Sequence, residues 1–173
     1  MFGIFSLTSC IRRRFAMADT VGSDIILMQA LNLPAYPFKI KENGNRLQIF
    51  DSFRKKYLVL TPEEWVRQHF VAFLCNQLKY PAAMMALEKG FKVNGRAKRA
   101  DLVVHDRAGA PWMVVECKAS HIQLNESAFY QAAAYHQKLN IRFLVVTNGI
   151  KHYCCSFENE TFNFIEGFPE YNS

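Results

Sequence analysis

The sequence predicts an α/β domain: one mixed β-sheet flanked by helices and preceded by a small N-terminal β-hairpin. Three observations point there. A strong helix start, Thr61-Pro62-Glu63-Glu64, opens an amphipathic stretch. Strand-like runs follow it in series, and Ile141 to Val146 is nearly all apolar, as a strand buried on both faces should be. Finally, 173 residues that are half apolar and 21% charged suit a single core and are too few for two well-filled ones.

Residues 1–33 differ in character and are expected to be an extension, disordered or the product of an over-long start, with 34–173 as a single domain. Leu7-Thr8-Ser9-Cys10 superficially matches a lipoprotein cleavage site, but Arg12-Arg13-Arg14 follow the short apolar stretch instead of preceding it, the wrong order for a secretory signal. Met17 and Met28 are alternative starts. Beyond the extension, Phe38-Lys39-Ile40 and Leu47-Gln48-Ile49-Phe50 flank Asn43-Gly44, a hairpin signal, and Tyr57 to Leu60 can extend that sheet. The helix start combines a threonine cap, a proline in the first turn and a glutamate three residues on. Over about 62–79 it places Val66, Phe70, Phe73, Leu74 and Leu78 at helical spacing, the pattern of a core stripe. Strands are expected over Met84 to Phe91, Arg99 to His105 and Trp112 to Lys118. The last two are joined by the turn Asp106 to Pro111. A second helix is expected from Asn125 to Leu139, then strands at Ile141 to Val146, Lys151 to Phe157 and Thr161 to Ile165, with Asn148-Gly149 as a turn.

Charge is distributed unevenly. Residues 29–154 hold 18 basic and 9 acidic side chains, whereas 155–173 hold four glutamates and no base. A basic body with an acidic tail points to a polyanion partner. No window approaches the 18 or so apolar residues of a membrane-spanning helix. The five cysteines, including the vicinal pair Cys154-Cys155, form no CxxC motif, so neither a disulfide framework nor a zinc site is expected, and the reducing cytoplasm is the expected compartment. Cys154 and Cys155 should point to opposite faces of their strand. His69, His121, His136 and His152 lack metal-ligand spacing and receive no role.

The sharpest feature is charge inside strands that should be hydrophobic: Asp101, and Glu116 with Lys118. With residues 107–110 at the hairpin tip, paired positions sum to 217 and Asp101 faces Glu116, with Lys118, His105 and Arg99 on the same face. Opposed carboxylates need a shared proton, a divalent cation or nearby basic groups. Magnesium suits a pair of carboxylates because it keeps waters and phosphate oxygens in its shell. A purely structural ion pair with Lys118 is the other reading of these residues. The run Lys89, Lys92, Arg96, Lys98 and Arg99, with no acid from 89 to 100, is either a phosphate-contacting segment or a solvated loop.

Asp101 followed after fourteen residues by Glu116-Cys117-Lys118 resembles the D…(D/E)xK signature of the PD-(D/E)XK nuclease superfamily. Glu88 matches its early glutamate, and Gln131 with Tyr135 matches the QxxxY element of some branches. Together these look most like the N-terminal nuclease domain of type I restriction enzyme R subunits. The resemblance implies a restriction-endonuclease-like α-β-β-β-α-β core and a DNA endonuclease of the restriction and defence kind. It implies that Asp101, Glu116, the Cys117 main-chain carbonyl and Glu88 ligate Mg2+, with Mn2+ able to substitute. Lys118 would assist the water nucleophile, and Gln131 and Tyr135 would contact DNA or brace the site. Ala100 stands where the superfamily's proline is usual. No GxxxxGK[ST] phosphate loop occurs, so a motor or specificity subunit is expected as a separate partner. Homodimerisation stays open. Two alternatives remain: a catalytically silent DNA-binding or partner-interaction module on the same fold, and a structure-selective nuclease similar to Holliday-junction resolvases.

Overall fold

The computed structural model describes residues 29–93, 96–125, 129, 139–158 and 161–171. It is a mixed α/β structure with two sheets. The first is a three-stranded antiparallel meander, β1 (Ile40–Asn43), β2 (Arg46–Asp51) and β3 (Lys56–Val59). Its hairpin forms where expected, but Asn43 pairs with Arg46, so the two-residue loop is Gly44-Asn45 and Gly44 takes the positive φ, +59°. Asp51, fully buried, holds the β2–β3 turn by accepting from the Phe53 and Arg54 amides, each at 2.8 Å.

Helix α1 (Pro62–Asn76) starts as the capping signal requires, with Thr61 Oγ1 accepting from the Glu64 amide at 3.0 Å. It ends three residues before the predicted limit. Lys79 adopts φ +59° and Pro81 follows, neither compatible with continued helix. Val66, Phe70 and Leu74 are fully buried, each such side chain contributing about 1.5–3 kcal/mol relative to exposure.

The second sheet has six strands in chain order: β4 (Met85–Val93), β5 (Arg96–His105), β6 (Pro111–Cys117), β7 (Phe143–Thr147), β8 (His152–Glu158) and β9 (Thr161–Ile165). All neighbours are antiparallel except β6 and β7, which run parallel and therefore need a crossover. The helix predicted over 125–139 falls there. Of it, Phe129 and Leu139 are described with helical backbone, and the remainder lies outside the described residues. Alternation sorts the strands between two cores. Leu102, Val104, Met113, Val115 and Val145 pack under α1. Val103, Val114, Leu144 and Val146 face the side holding Phe129 and Leu139. Cys154 and Cys155 divide between these cores as the strand period demands.

Packing begins upstream of residue 34. Leu31 and Leu33 lie against the α1 core, and the Asn32 amide donates to the Gly149 carbonyl at 2.7 Å. Residues 1–28 are outside the described residues.

Candidate active site

The β5–β6 register follows the expected sum of 217: Leu102 faces Val115, Val103 faces Val114 and Val104 faces Met113, before a bulge shifts His105 to Pro111. The ladder stops at Leu102. Beyond it, alternation breaks: Ala100 joins the Phe129 core although Leu102 belongs to the α1 core. The neighbouring strand is distorted at the same level, where Glu88 takes φ +50°, a conformation rare for a residue other than glycine.

Asp101 uses this break. Its Oδ2 accepts from the Cys117 amide at 2.7 Å, joining it to the Glu116-Cys117-Lys118 segment. Its Oδ1 turns to α1 and accepts from the Arg67 guanidinium at 2.8 Å. Asp101 is only 8% exposed, so these two donors supply what water would otherwise give. The Glu116 carboxylate instead meets the Lys118 ammonium at 2.8 Å. Burial works against the charge of Lys118, yet the hydrogen bond and charge of Glu116, with Asp101 and Glu63 behind, outweigh it and hold the amine above the ordinary lysine range. Lys118 is thus a firm cation at neutral pH. The Cys117 thiol is buried and its pKa pushed well up, first by burial and then by the Asp101 charge, so it is a packing group.

Two arginines absent from the sequence-level site complete the cluster. Arg67, 4% exposed, bonds Glu64 and Asp101 and also reaches Glu63 at 3.0 Å and Glu88 at 3.4 Å. Its Nε has no hydrogen-bond partner among the described residues. Arg54, from the β2–β3 turn, binds Asp51 at 2.6 Å, Glu88 at 2.8 Å and Glu64 at 3.3 Å. Burial alone would raise the pKa of Glu88; Arg54, then Arg99 and Arg67, bring it below the usual carboxylate value. For Glu64 burial wins, and its pKa is raised despite Gln68 and the arginines.

The remaining predicted residues fall into three groups. Lys89 is exposed on β4, its Nζ 2.9 Å from His105 Nε2, and Arg99 on β5 is 63% exposed with Glu88 3.5 Å away. Lys92, Arg96 and Lys98 lie on the paired β4–β5 ribbon, where backbone alone is described. Gln131 and Tyr135 lie outside the described residues.

The model for the type I restriction enzyme R protein N terminus matches residues 62–169. The chain belongs to that family. Membership in the restriction enzyme R N-terminal family suggests a nuclease domain of the restriction type, and the PD-(D/E)XK superfamily assignment is consistent with it. The matched region begins at α1 and reaches past β9, so it contains Asp101, Glu116 and Lys118 and leaves β1–β3 outside. No curated protein matches the chain.

Whether these residues suit magnesium turns on donor chemistry. Asp101, Glu116 and Glu88 offer hard carboxylate oxygens, the donors Mg2+ and Mn2+ prefer. Among the described residues no group of three acidic, histidine or cysteine side chains is already gathered as a metal-ligand set. The carboxylates meet the chain's own cations. A metal would therefore have to displace Arg67 from Asp101 Oδ1, and the donor set fits on that condition.

Proposed function

We propose that this chain is a metal-dependent DNA nuclease domain of the restriction and defence kind, built on a restriction-endonuclease-like core. The observation that carries the reading is the bond from Asp101 Oδ2 to the Cys117 amide. It draws the isolated acid of β5 onto the Glu-x-Lys segment of β6, although the two strands have stopped pairing there. Asp101, Glu116, the Cys117 carbonyl and Glu88 would hold a magnesium ion, which when bound supplies stabilisation of charge on the phosphodiester oxygens. Lys118 keeps its proton at Nζ and can orient the attacking water or offset charge in the transition state. Lys89 and Arg99, with Lys92, Arg96 and Lys98 of the same ribbon, would take the DNA backbone. Gln131 and Tyr135 would brace the site or touch DNA, and a motor or specificity subunit would be a separate partner.

A second reading has one observation in its favour. Arg67 and Arg54 already neutralise Asp101 and Glu88, so the fold can satisfy these acids without metal and serve as a silent DNA-binding module. Magnesium calorimetry and plasmid nicking, wild type against Glu116→Ala, separate the two. Saturable binding and nicking that both vanish in the variant are expected. A wild-type chain that binds DNA but no metal would overturn the nuclease reading.

A further inference from the structure

The three-stranded sheet carries a face that the candidate active site does not use. Phe50 pairs with Tyr57 across β2–β3, and Lys41 sits in the neighbouring row with Gln48 and Val59. Strand alternation puts these residues on the face opposite Ile40, Ile49 and Leu58, of which Ile49 is fully buried. The Phe50 amide bonds to the Lys39 carbonyl, which extends the row by one more lysine. The Phe50 and Tyr57 rings stand edge to face, 5.2 Å between centroids, and both are half-buried. Lys39 Nζ lies 5.8 Å from the first ring centre and Lys41 Nζ 4.0 Å from the second.

Among the described residues of β1–β3, this face carries cations and no acid. Lys39, Lys41 and Arg46 are exposed, while Asp51 is fully buried against Arg54 and Glu42 alternates to the other side with Ile40. Aromatic rings between cations suit a strand whose bases are free to stack and whose phosphates need counter-charge. A duplex keeps its bases stacked on each other and would gain only from the lysines. We infer that the outer face of β1–β3 binds single-stranded nucleic acid, its bases on Phe50 and Tyr57 and its phosphates on Lys39, Lys41 and Arg46. Arg54 in the β2–β3 turn ties this sheet to Glu88 of the candidate active site. The inference does not rest on nuclease activity.

The test is fluorescence anisotropy in EDTA, titrating the chain into labelled oligothymidylate, oligouridylate and a duplex of equal length. Tyr57→Ala should weaken single-strand binding about tenfold and leave duplex binding unchanged, with Tyr57→Phe behaving as wild type. The Lys39→Gln, Lys41→Gln double variant should reduce the salt slope by about 1.4, two phosphate contacts at roughly 0.7 each. These lysines are exposed, so that variant decides the matter even should Tyr57→Ala fail to fold. The tighter of the two oligonucleotides identifies DNA or RNA as the source of the strand. A wild-type chain that binds neither oligonucleotide would overturn the inference. So would variants that bind single strand as wild type, or a Tyr57→Ala loss equal for single strand and duplex.

Discussion

Replacing Arg67 with methionine tests the electrostatic logic of the whole cluster. The substitution keeps an unbranched apolar stem at this buried position but removes the guanidinium shared by Asp101, Glu64, Glu63 and Glu88. Their losses differ. Glu63 is about half exposed and loses little. Glu64 keeps Gln68 at 2.7 Å and Arg54, and Glu88 keeps Arg54. Asp101 is the exposed weakness, because Oδ1 has no replacement donor among the described residues and the residue is 8% accessible. Breaking one partner of a buried pair costs about 3–5 kcal/mol, and the surviving Cys117 amide bond places this case near about 3 kcal/mol. In a chain of this size that lowers Tm by about 6–12 °C. Urea denaturation of wild type, Arg67→Met, Asp101→Asn and the double variant closes the cycle. A coupling of about 2 kcal/mol is expected, since an uncharged Asn no longer needs the arginine. An Arg67→Met chain within about 0.5 kcal/mol of wild type, or singles that simply add, would refute the reasoning. Magnesium adds a functional arm: it should stabilise Arg67→Met more than wild type, because it supplies the charge the variant lacks.

Lys118→Met should reduce plasmid nicking by about 100-fold, at the lower end for loss of a positioned proton-handling group, while magnesium binding by calorimetry persists. An unchanged rate would remove Lys118 from the chemistry. Burial lowers the pKa values of His69 and His152, with the Trp65 and Asn32 carbonyls opposing it only in part. The unfolded chain therefore takes up protons near pH 6.5 that the folded chain refuses. Stability from these two groups is complete above about pH 6.5 and is lost as pH falls through their folded values. Tm should drop between about pH 7 and pH 5, and His69→Gln with His152→Gln should flatten that drop.

Local chemistry made most of the fold legible. The Thr61 cap, the apolar stripe of α1 and the period-two strands each reflect interactions within a few residues. The β5–β6 register was readable as far as Leu102 for the same reason, because one short turn sets it. It failed at Asp101, which leaves the ladder for partners sixteen residues ahead and thirty-four behind. It failed again at His105, where a bulge inserts a residue. The arginines were missed for different reasons. Arg67 lies inside a stripe that reads as core, though its spacing from Glu63 and Glu64 marked a charged pair on that buried side. Arg54 gave no signal, since its long-range partners Glu64 and Glu88 are ten and thirty-four residues away.

The charge balance favours a cation at this place over a finished ion cluster. Residues 29–154 carry 18 bases and 9 acids, and among the described residues Asp51, Glu63, Glu64, Glu88, Asp101 and Glu116 meet Arg54, Arg67, Lys118 and Arg99. Folding has gathered acids in a basic chain, where Arg54 and Arg67 are each shared among several carboxylates. Burial raises the pKa of Glu64 even against Gln68 and the two arginines. Sharing one guanidinium among several carboxylates leaves each of them less than a full counter-charge, at a desolvation cost. On the proposed reading, a divalent cation would supply the remaining charge. On that reading, the same ion would also remove the repulsion that this acidic spot presents to a phosphodiester brought in by the β4–β5 ribbon. Under the proposed function, metal and DNA would therefore depend on each other: the ribbon would attract the backbone, and the cation would let a phosphate approach Asp101, Glu116 and Lys118 together.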